Sequence, residues 1–182
     1  MRKTTLAKRY AEALIDIGRE EQRYEQYGEE LRKAAAAFGA SPVLYKVLLN
    51  PMYRIETRKA IVEELSKELA LSAVIVKFLS LLVERRHIRL LDEITRMYSQ
   101  MEDRLAGRIR VTVEVAKGVE EEMIKAVKEK IEKESGNRVI LTTRENPSLI
   151  GGLIIKIGNT IFDGSIKTQL ERMKEKLLEG VS

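Results

Sequence analysis

Apolar residues recur every three or four positions through the first hundred residues of the chain, and at every second position just afterwards. Leu6, Tyr10, Leu14 and Ile17 lie on one helical stripe, with Ala7 and Ala11 beside it and charged residues opposite. Tyr24, Tyr27, Leu31, Ala34 and Phe38 form a second stripe that runs up to Gly39. Ser41-Pro42 reads as an N-cap with proline at the first helical position, and Asn50-Pro51 ends the short helix that carries Val43, Val47 and Leu48. Ile55, Val62, Leu65 and Leu69 mark a fourth helix. Ser72 to Glu84 is the most apolar, with Val74, Ile75, Phe78, Leu79 and Leu82 leaving little polar face. A sixth helix spans Arg89 to Leu105, with Leu90, Ile94, Met97 and Met101 inward.

The period changes at Gly107. Ile109, Val111, Val113 and Val115 alternate with Arg108, Arg110, Thr112 and Glu114, the pattern of a half-buried strand. Val119, Met123, Val127 and Ile131 restore helical spacing up to Ser135-Gly136-Asn137. Strands are predicted over Val139 to Thr143 and Leu149 to Ile157. Gly158-Asn159 then signals a tight hairpin, and Ile166, Leu170, Met173 and Leu177 define a closing helix. The expected fold is mainly α, a six-helix bundle over residues 1–106 followed by a small α+β domain over 107–182.

Composition narrows the function classes. The chain has 182 residues, 44% hydrophobic and 34% charged, as befits a globular rather than a disordered protein. Its 33 basic and 28 acidic side chains are interspersed. Residues 1–107 hold 19 and 16, and residues 108–182 hold 14 and 12, so the net charge of +5 is not gathered in either half. A basic two-domain adaptor that binds nucleic acid is the alternative reading. Solvated helix faces explain the charge better, and without Trp and with few Phe there is no evident platform for stacking bases. The absence of cysteine excludes disulfides, thiolate metal sites and catalytic thiols, and the single histidine excludes a multi-histidine metal centre. The basic start, MRKTTLAKRYAEAL, lacks the apolar core of a signal peptide. The apolar run Ala73 to Val83 is too short to span a bilayer, so no membrane insertion is expected.

Candidate chemistry is sparse. Gly151-Gly152 followed by Lys156 matches neither a phosphate loop nor a dinucleotide fingerprint, and the pair lies within strand pattern; a bulge or a close backbone approach explains it. Asp163-Gly164-Ser165 precedes a helix and reads as a turn and cap rather than a catalytic pair. His87 lies between two helices, among Arg85, Arg86 and Arg89. The carboxylate pairs Glu20-Glu21, Glu29-Glu30 and Glu63-Glu64, and the run Glu120 to Glu122, fall on exposed helix faces or at helix starts. No catalytic residue, cofactor or metal is expected.

YAEAL at residues 10–14, NPSLIGG at 146–152 and IFDGSIKTQLERMKEKL at 161–177, with Asn50-Pro51 between helices, resemble the δ subunit of F-type ATP synthases, the family of the mitochondrial oligomycin-sensitivity-conferring protein. The chain departs mildly from the family pattern, with Asn146 where Asp is common and with Arg86 and Arg89 around His87 in place of an Asn-x-Arg element. The resemblance implies a non-catalytic stator subunit, one copy in a hetero-oligomeric complex. Its helical domain would bind the N-terminal helices of the α subunits and its second domain the b subunits of the peripheral stalk. That places it at the membrane only through the complex, on the cytoplasmic face of a bacterial cell membrane. By the same analogy the α-subunit groove involves the first and fifth helices, through Ala7, Tyr10, Ala11 and Leu14, with Phe78, Leu79 and Leu82 near its floor. A bulky residue at Ala11 is then expected to weaken docking while the fold survives.

Overall fold

The computed structural model describes residues 2–116, 121–158 and 160–179, with the backbone alone for 2, 3, 121 and 175–179. The protein is mainly helical with a small four-stranded sheet, and it divides into two compact units between Glu102 and Asp103.

In the first unit the helices are α1 (Arg2–Glu20), α2 (Tyr24–Ala40), α3 (Pro42–Leu49), α4 (Ile55–Glu68) and α5 (Ala73–Glu84). A 3-10 turn (Ile88–Leu90) leads into α6 (Leu91–Leu105). Their inward stripes merge into one core, in which Leu14, Tyr27, Leu31, Phe38, Leu48, Val62, Leu79, Leu82, Ile94 and Tyr98 are closed to solvent. Each buried Leu or Ile contributes roughly 1.5–3 kcal/mol of transfer free energy. Ser41 caps α3 as its sequence predicts, accepting a hydrogen bond from the Leu44 amide ahead of Pro42.

Three helices of this unit close through a left-handed residue that is not glycine. Gln22, Ala70 and Arg86 have φ of 55°, 50° and 59°, each just past the end of α1, α4 and α5. The following amide reaches back across the last turn each time: Arg23 to Gly18 O, Leu71 to Ser66 O, and His87 to Leu82 O. These are Schellman closures, in which a left-handed residue lets the chain satisfy carbonyls that the helix leaves orphaned.

Two buried carboxylates of this unit are paired across helices, whereas Arg58 Nε and Ser66 Oγ are buried without a hydrogen-bond partner. Glu30 of α2 accepts from the Ser72 amide (2.8 Å) and hydroxyl (2.6 Å), placing a carboxylate at the positive end of α5. Glu102 of α6 is almost closed to solvent and meets Arg32 of α2 at 2.7 Å. A Cβ on Gly28 would press on that carboxylate and crowd the Tyr98 ring, so a larger residue there would push Glu102 out of its place. Tyr98 donates to Tyr24 O at 2.8 Å, and burial pushes its phenol well above the usual range.

The second unit contains β1 (Arg108–Val115), α7 (Glu121–Ser135), β2 (Arg138–Glu145), β3 (Leu153–Ile157), β4 (Thr160–Asp163) and α8 (Ile166–Glu179). The sheet order is β2-β1-β3-β4, with β1 parallel to β2 and the other pairs antiparallel. Helix α7 is the crossover that a parallel pair requires. Its Val127 and Ile131 pack with Val111, Val113, Val115 and Val139, joined by Leu153, Ile155 and Ile157 from β3. Val119 and Glu120 lie outside the described residues, as does Asn159 of the expected hairpin turn; Gly158 before it has φ 57°.

The strand expected from Leu149 begins only at Leu153, because Gly152 takes φ 81°, which extended backbone cannot accommodate. The Gly pair marks a close approach, as its placement predicts. The Gly164 amide donates to Leu153 O and the Ile166 amide to Gly151 O, both at 3.0 Å. A Cβ on Gly152 would sit against the Gly164 carbonyl oxygen and 3.0 Å from Ser165 Cα. NPSLIGG and FDGS are thus two halves of one backbone junction, separated in sequence by the β3-β4 hairpin.

Candidate functional site

The residues expected to line a groove on α1 and α5 are mostly interior. Ala7, Ala11, Leu14, Leu79 and Leu82 are closed to solvent and Phe78 is buried; Tyr10 alone of the seven is half-buried. A side chain without accessible surface cannot touch a partner while its core is intact. A bulky residue at Ala11 would therefore challenge the packing of this unit first, contrary to the expectation that the fold ignores it.

Helix α1 in fact carries two apolar stripes side by side. Ala7, Ala11 and Leu14 turn inward. Leu6, Tyr10, Ala13 and Ile17, at i, i+4, i+7 and i+11, form the neighbouring stripe, half-buried or exposed along its length. On α5 the corresponding outward pair is Val74 and Leu81, seven residues apart. The two helices touch where the Tyr10 ring meets Phe78 edge-on, with centroids 6.0 Å apart. The Tyr10 hydroxyl lies 2.9 Å from His87 Nδ1.

The second unit holds a surface that sequence periodicity does not distinguish from core. Ile166, Leu170 and Met173 form the expected stripe of α8, yet they are 44%, 59% and 61% exposed. Leu177 lies outside the described side chains. On β4, Ile161 and Phe162 are open as well, and Ile150 lies bare in the turn before β3. The physical reason is coverage: the described core of this unit is drawn from α7 and the sheet, with no residue of α8 in it. Between α7 and the β3-β4 hairpin runs a trough of about 550 Å³, lined by Val127, Ile131, Ile155, Ile157 and Phe162, with Lys130, Glu134 and Ser135. Contiguous apolar surface of this kind marks interaction sites.

Side chains that could suggest chemistry serve the fold. Ser165 is buried and its hydroxyl accepts from the Thr168 amide at 3.3 Å, capping α8. Asp163 accepts from the Ser165 amide and the Thr168 hydroxyl; the first of these bonds leads in holding its carboxyl below the ordinary range. Glu114 is likewise held low, chiefly by its bond from Lys156 and then by Asn146. Asn146 joins β1 to the turn, because its Oδ1 also accepts from the Ser148 amide and hydroxyl. Among the described residues no group of three or more His, Asp or Glu is gathered to hold a metal ion, and no helix is long and apolar enough to cross a membrane.

Comparison with known proteins places this arrangement. Residues 6–177 match the family described as ATP synthase delta (OSCP) subunit. The ATP synthase subunit delta of Geotalea uraniireducens is 38% identical over 180 residues, covering 99% of this chain and 100% of the relative. That of Desulfatibacillum aliphaticivorans is 38% identical over 177 residues, covering 97% of each. Among solved structures, a chain of the Toxoplasma gondii mitochondrial ATP synthase hexamer has a similar fold, with a TM-score of 0.69 at 17% identity, covering 95% of this chain and 97% of that one. With relatives of this identity aligned from end to end, the chain belongs to the ATP synthase delta (OSCP) subunit family.

Proposed function

We propose that this chain ties the catalytic headpiece of an F-type ATP synthase to its peripheral stalk, so that ion-driven rotation is coupled to ATP synthesis. The family is a structural, non-catalytic part of the enzyme, and the match over residues 6–177 is the observation that carries the reading. In it the helices of the first unit act as one bundle, covering residues 1–106, that receives N-terminal helices of the α subunits. Residues 107–182 receive the b subunits, and the chain sits at the cytoplasmic face of the membrane through these partners alone.

The two open apolar surfaces suit these roles. A helix lying across α1 and α5 would contact Leu6, Tyr10, Ala13 and Ile17 on one side and Val74 and Leu81 on the other. Ala7, Ala11, Leu14, Phe78, Leu79 and Leu82 set the shape of that face from beneath. In the second unit, the stripe Ile166, Leu170 and Met173 with Ile161 and Phe162 offers an amphipathic helix of b an apolar seat. Both attachments need an apolar centre, because torque on the headpiece strains them at every turn and affinity must reside in slow dissociation.

Leu170→Glu tests the second attachment. The residue is 59% exposed, so the variant keeps its fold, with stability within about 0.5 kcal/mol of the parent. Affinity for soluble b subunits, measured by calorimetry, is expected to fall at least about tenfold, as for loss of an apolar anchor of over 1 kcal/mol. Unchanged affinity in a folded variant would remove α8 from the b interface.

A further inference from the structure

The chain's single histidine is held in a fixed place by backbone, and its ring is spent on one side chain. Arg86, at φ 59°, closes α5 as the left-handed residue of a Schellman motif. The next amide, that of His87, returns to Leu82 O at 2.7 Å. This pins the His87 backbone to the last turn of α5, so its half-buried ring is directed by the helix end rather than by a free loop. Nδ1 then lies 2.9 Å from the Tyr10 hydroxyl, 77 residues away in sequence. The Tyr10 ring meets both partners edge-on, Phe78 at 6.0 Å and 78° and His87 at 5.8 Å and 66°.

Tyr10 is the largest side chain of the outward stripe of α1. A half-buried tyrosine on a helix has two free side-chain torsions, and immobilising such a side chain on binding costs about 0.5–1.5 kcal/mol. Here Phe78 fixes one edge of the ring and His87 fixes its hydroxyl, so the ring is presented in one orientation before any partner arrives. We infer that His87 is a positioning residue for headpiece docking, holding Tyr10 through Nδ1 so that its ring is pre-set at the meeting of α1 and α5. The inference rests on the proposal that this face receives the α-subunit helix. In the neutral ring with its proton on Nε2, Nδ1 accepts from the phenol, and Oδ1 of asparagine can occupy almost the same point.

The test uses the full chain and a synthetic peptide of the α subunit's N-terminal helix, with affinity measured by calorimetry and folding checked by thermal melting. His87→Leu and Tyr10→Phe are each expected to weaken binding about fivefold, the effect of one hydrogen bond. His87→Asn restores affinity to within about twofold of the parent, and the double variant His87→Leu/Tyr10→Phe binds no worse than either single one, as coupled residues require. A parent protein that binds while His87→Leu binds equally well overturns the inference alone. So does His87→Asn as weak as His87→Leu, or additive losses in the double variant. A parent protein with no affinity for the peptide overturns the docking reading, and this inference with it. Should His87→Leu fail to fold, the Tyr10→Phe and His87→Asn pair still decides: equal affinity of Tyr10→Phe and parent contradicts the latch.

Discussion

Replacing Gly152 by alanine is expected to destabilise the second unit by about 3 kcal/mol, a large share of the ~5–15 kcal/mol that separates a folded domain from its unfolded chain. Two independent penalties meet at this position. The backbone is at φ 81°, where a side chain is strained. The new methyl would also press on the Gly164 carbonyl oxygen and Ser165 Cα, which are backbone atoms that cannot rotate away. Relief would require parting the β3 entry from the α8 start, at the expense of the Gly164–Leu153 and Ile166–Gly151 hydrogen bonds. Gly151 is the built-in control. A methyl there meets only the tip of the Ile166 side chain, which can turn aside, and alanine is expected to cost less than about 1 kcal/mol. Hydrogen exchange of the β1 and β3 amides reports on this unit directly. Equal protection in the two variants would mean that the backbone junction is not what the glycine pair serves.

Leu79→Ala is expected to cost the first unit about 3 kcal/mol, from lost transfer free energy and the cavity left behind. Leu79 has no accessible surface and packs in the common core of the helices. The loss therefore appears in urea unfolding whether or not a partner is present. The folded fraction still binds the α-subunit helix, because every side chain of the outer stripes that would touch the partner is kept. Leu81→Ala is the mirror case: 39% exposed on the same helix, it changes stability little and weakens docking. Unaltered stability together with lost docking in Leu79→Ala would return that residue to the contact surface.

These two positions also show how far periodicity reaches. The stripes of α2 and α5 name most of their buried residues directly, since a helix needs only one apolar face to join a core, though Tyr24 and Val74 of those stripes stay half-buried. On α1 the sequence has two adjacent apolar stripes, and spacing alone does not say which one faces in. Small residues at Ala7 and Ala11 suggest a shallow outer groove, but they are equally suited to close helix packing, and the structure uses them for the latter. The α8 stripe is the opposite case. Its spacing correctly marks a helix, while the described core of this unit is made by α7 and the sheet and leaves the apolar face of α8 open. Amphipathicity states that a face must be covered without stating by which chain.

Helix ends divide in the same way. Gly107 and Gly136 announce theirs, at φ 59° and 67°. The ends at Gln22, Ala70 and Arg86 are dictated by the need to bring the next helix back onto the core, and tertiary packing overrides the local preference for glycine. The Gly28–Glu102–Arg32 arrangement is illegible for another reason. The glycine and the carboxylate it accommodates are 74 positions apart (102 minus 28), and only the meeting of α2 and α6 relates them. By contrast, the junction of NPSLIGG with FDGS is legible in part, because glycine at a close approach and serine before a helix each carry a local physical signature.

Whether one chain bridges two partners is decided by co-sedimentation. Purified headpiece and the soluble part of the b subunits are mixed with and without this chain, and the mixture is sedimented. A bridging chain makes b travel with the headpiece only when the chain is present, and Leu170→Glu leaves the chain on the headpiece while b stays behind. A chain that sediments with neither partner, or b subunits that follow the headpiece equally well in its absence, would contradict the bridge.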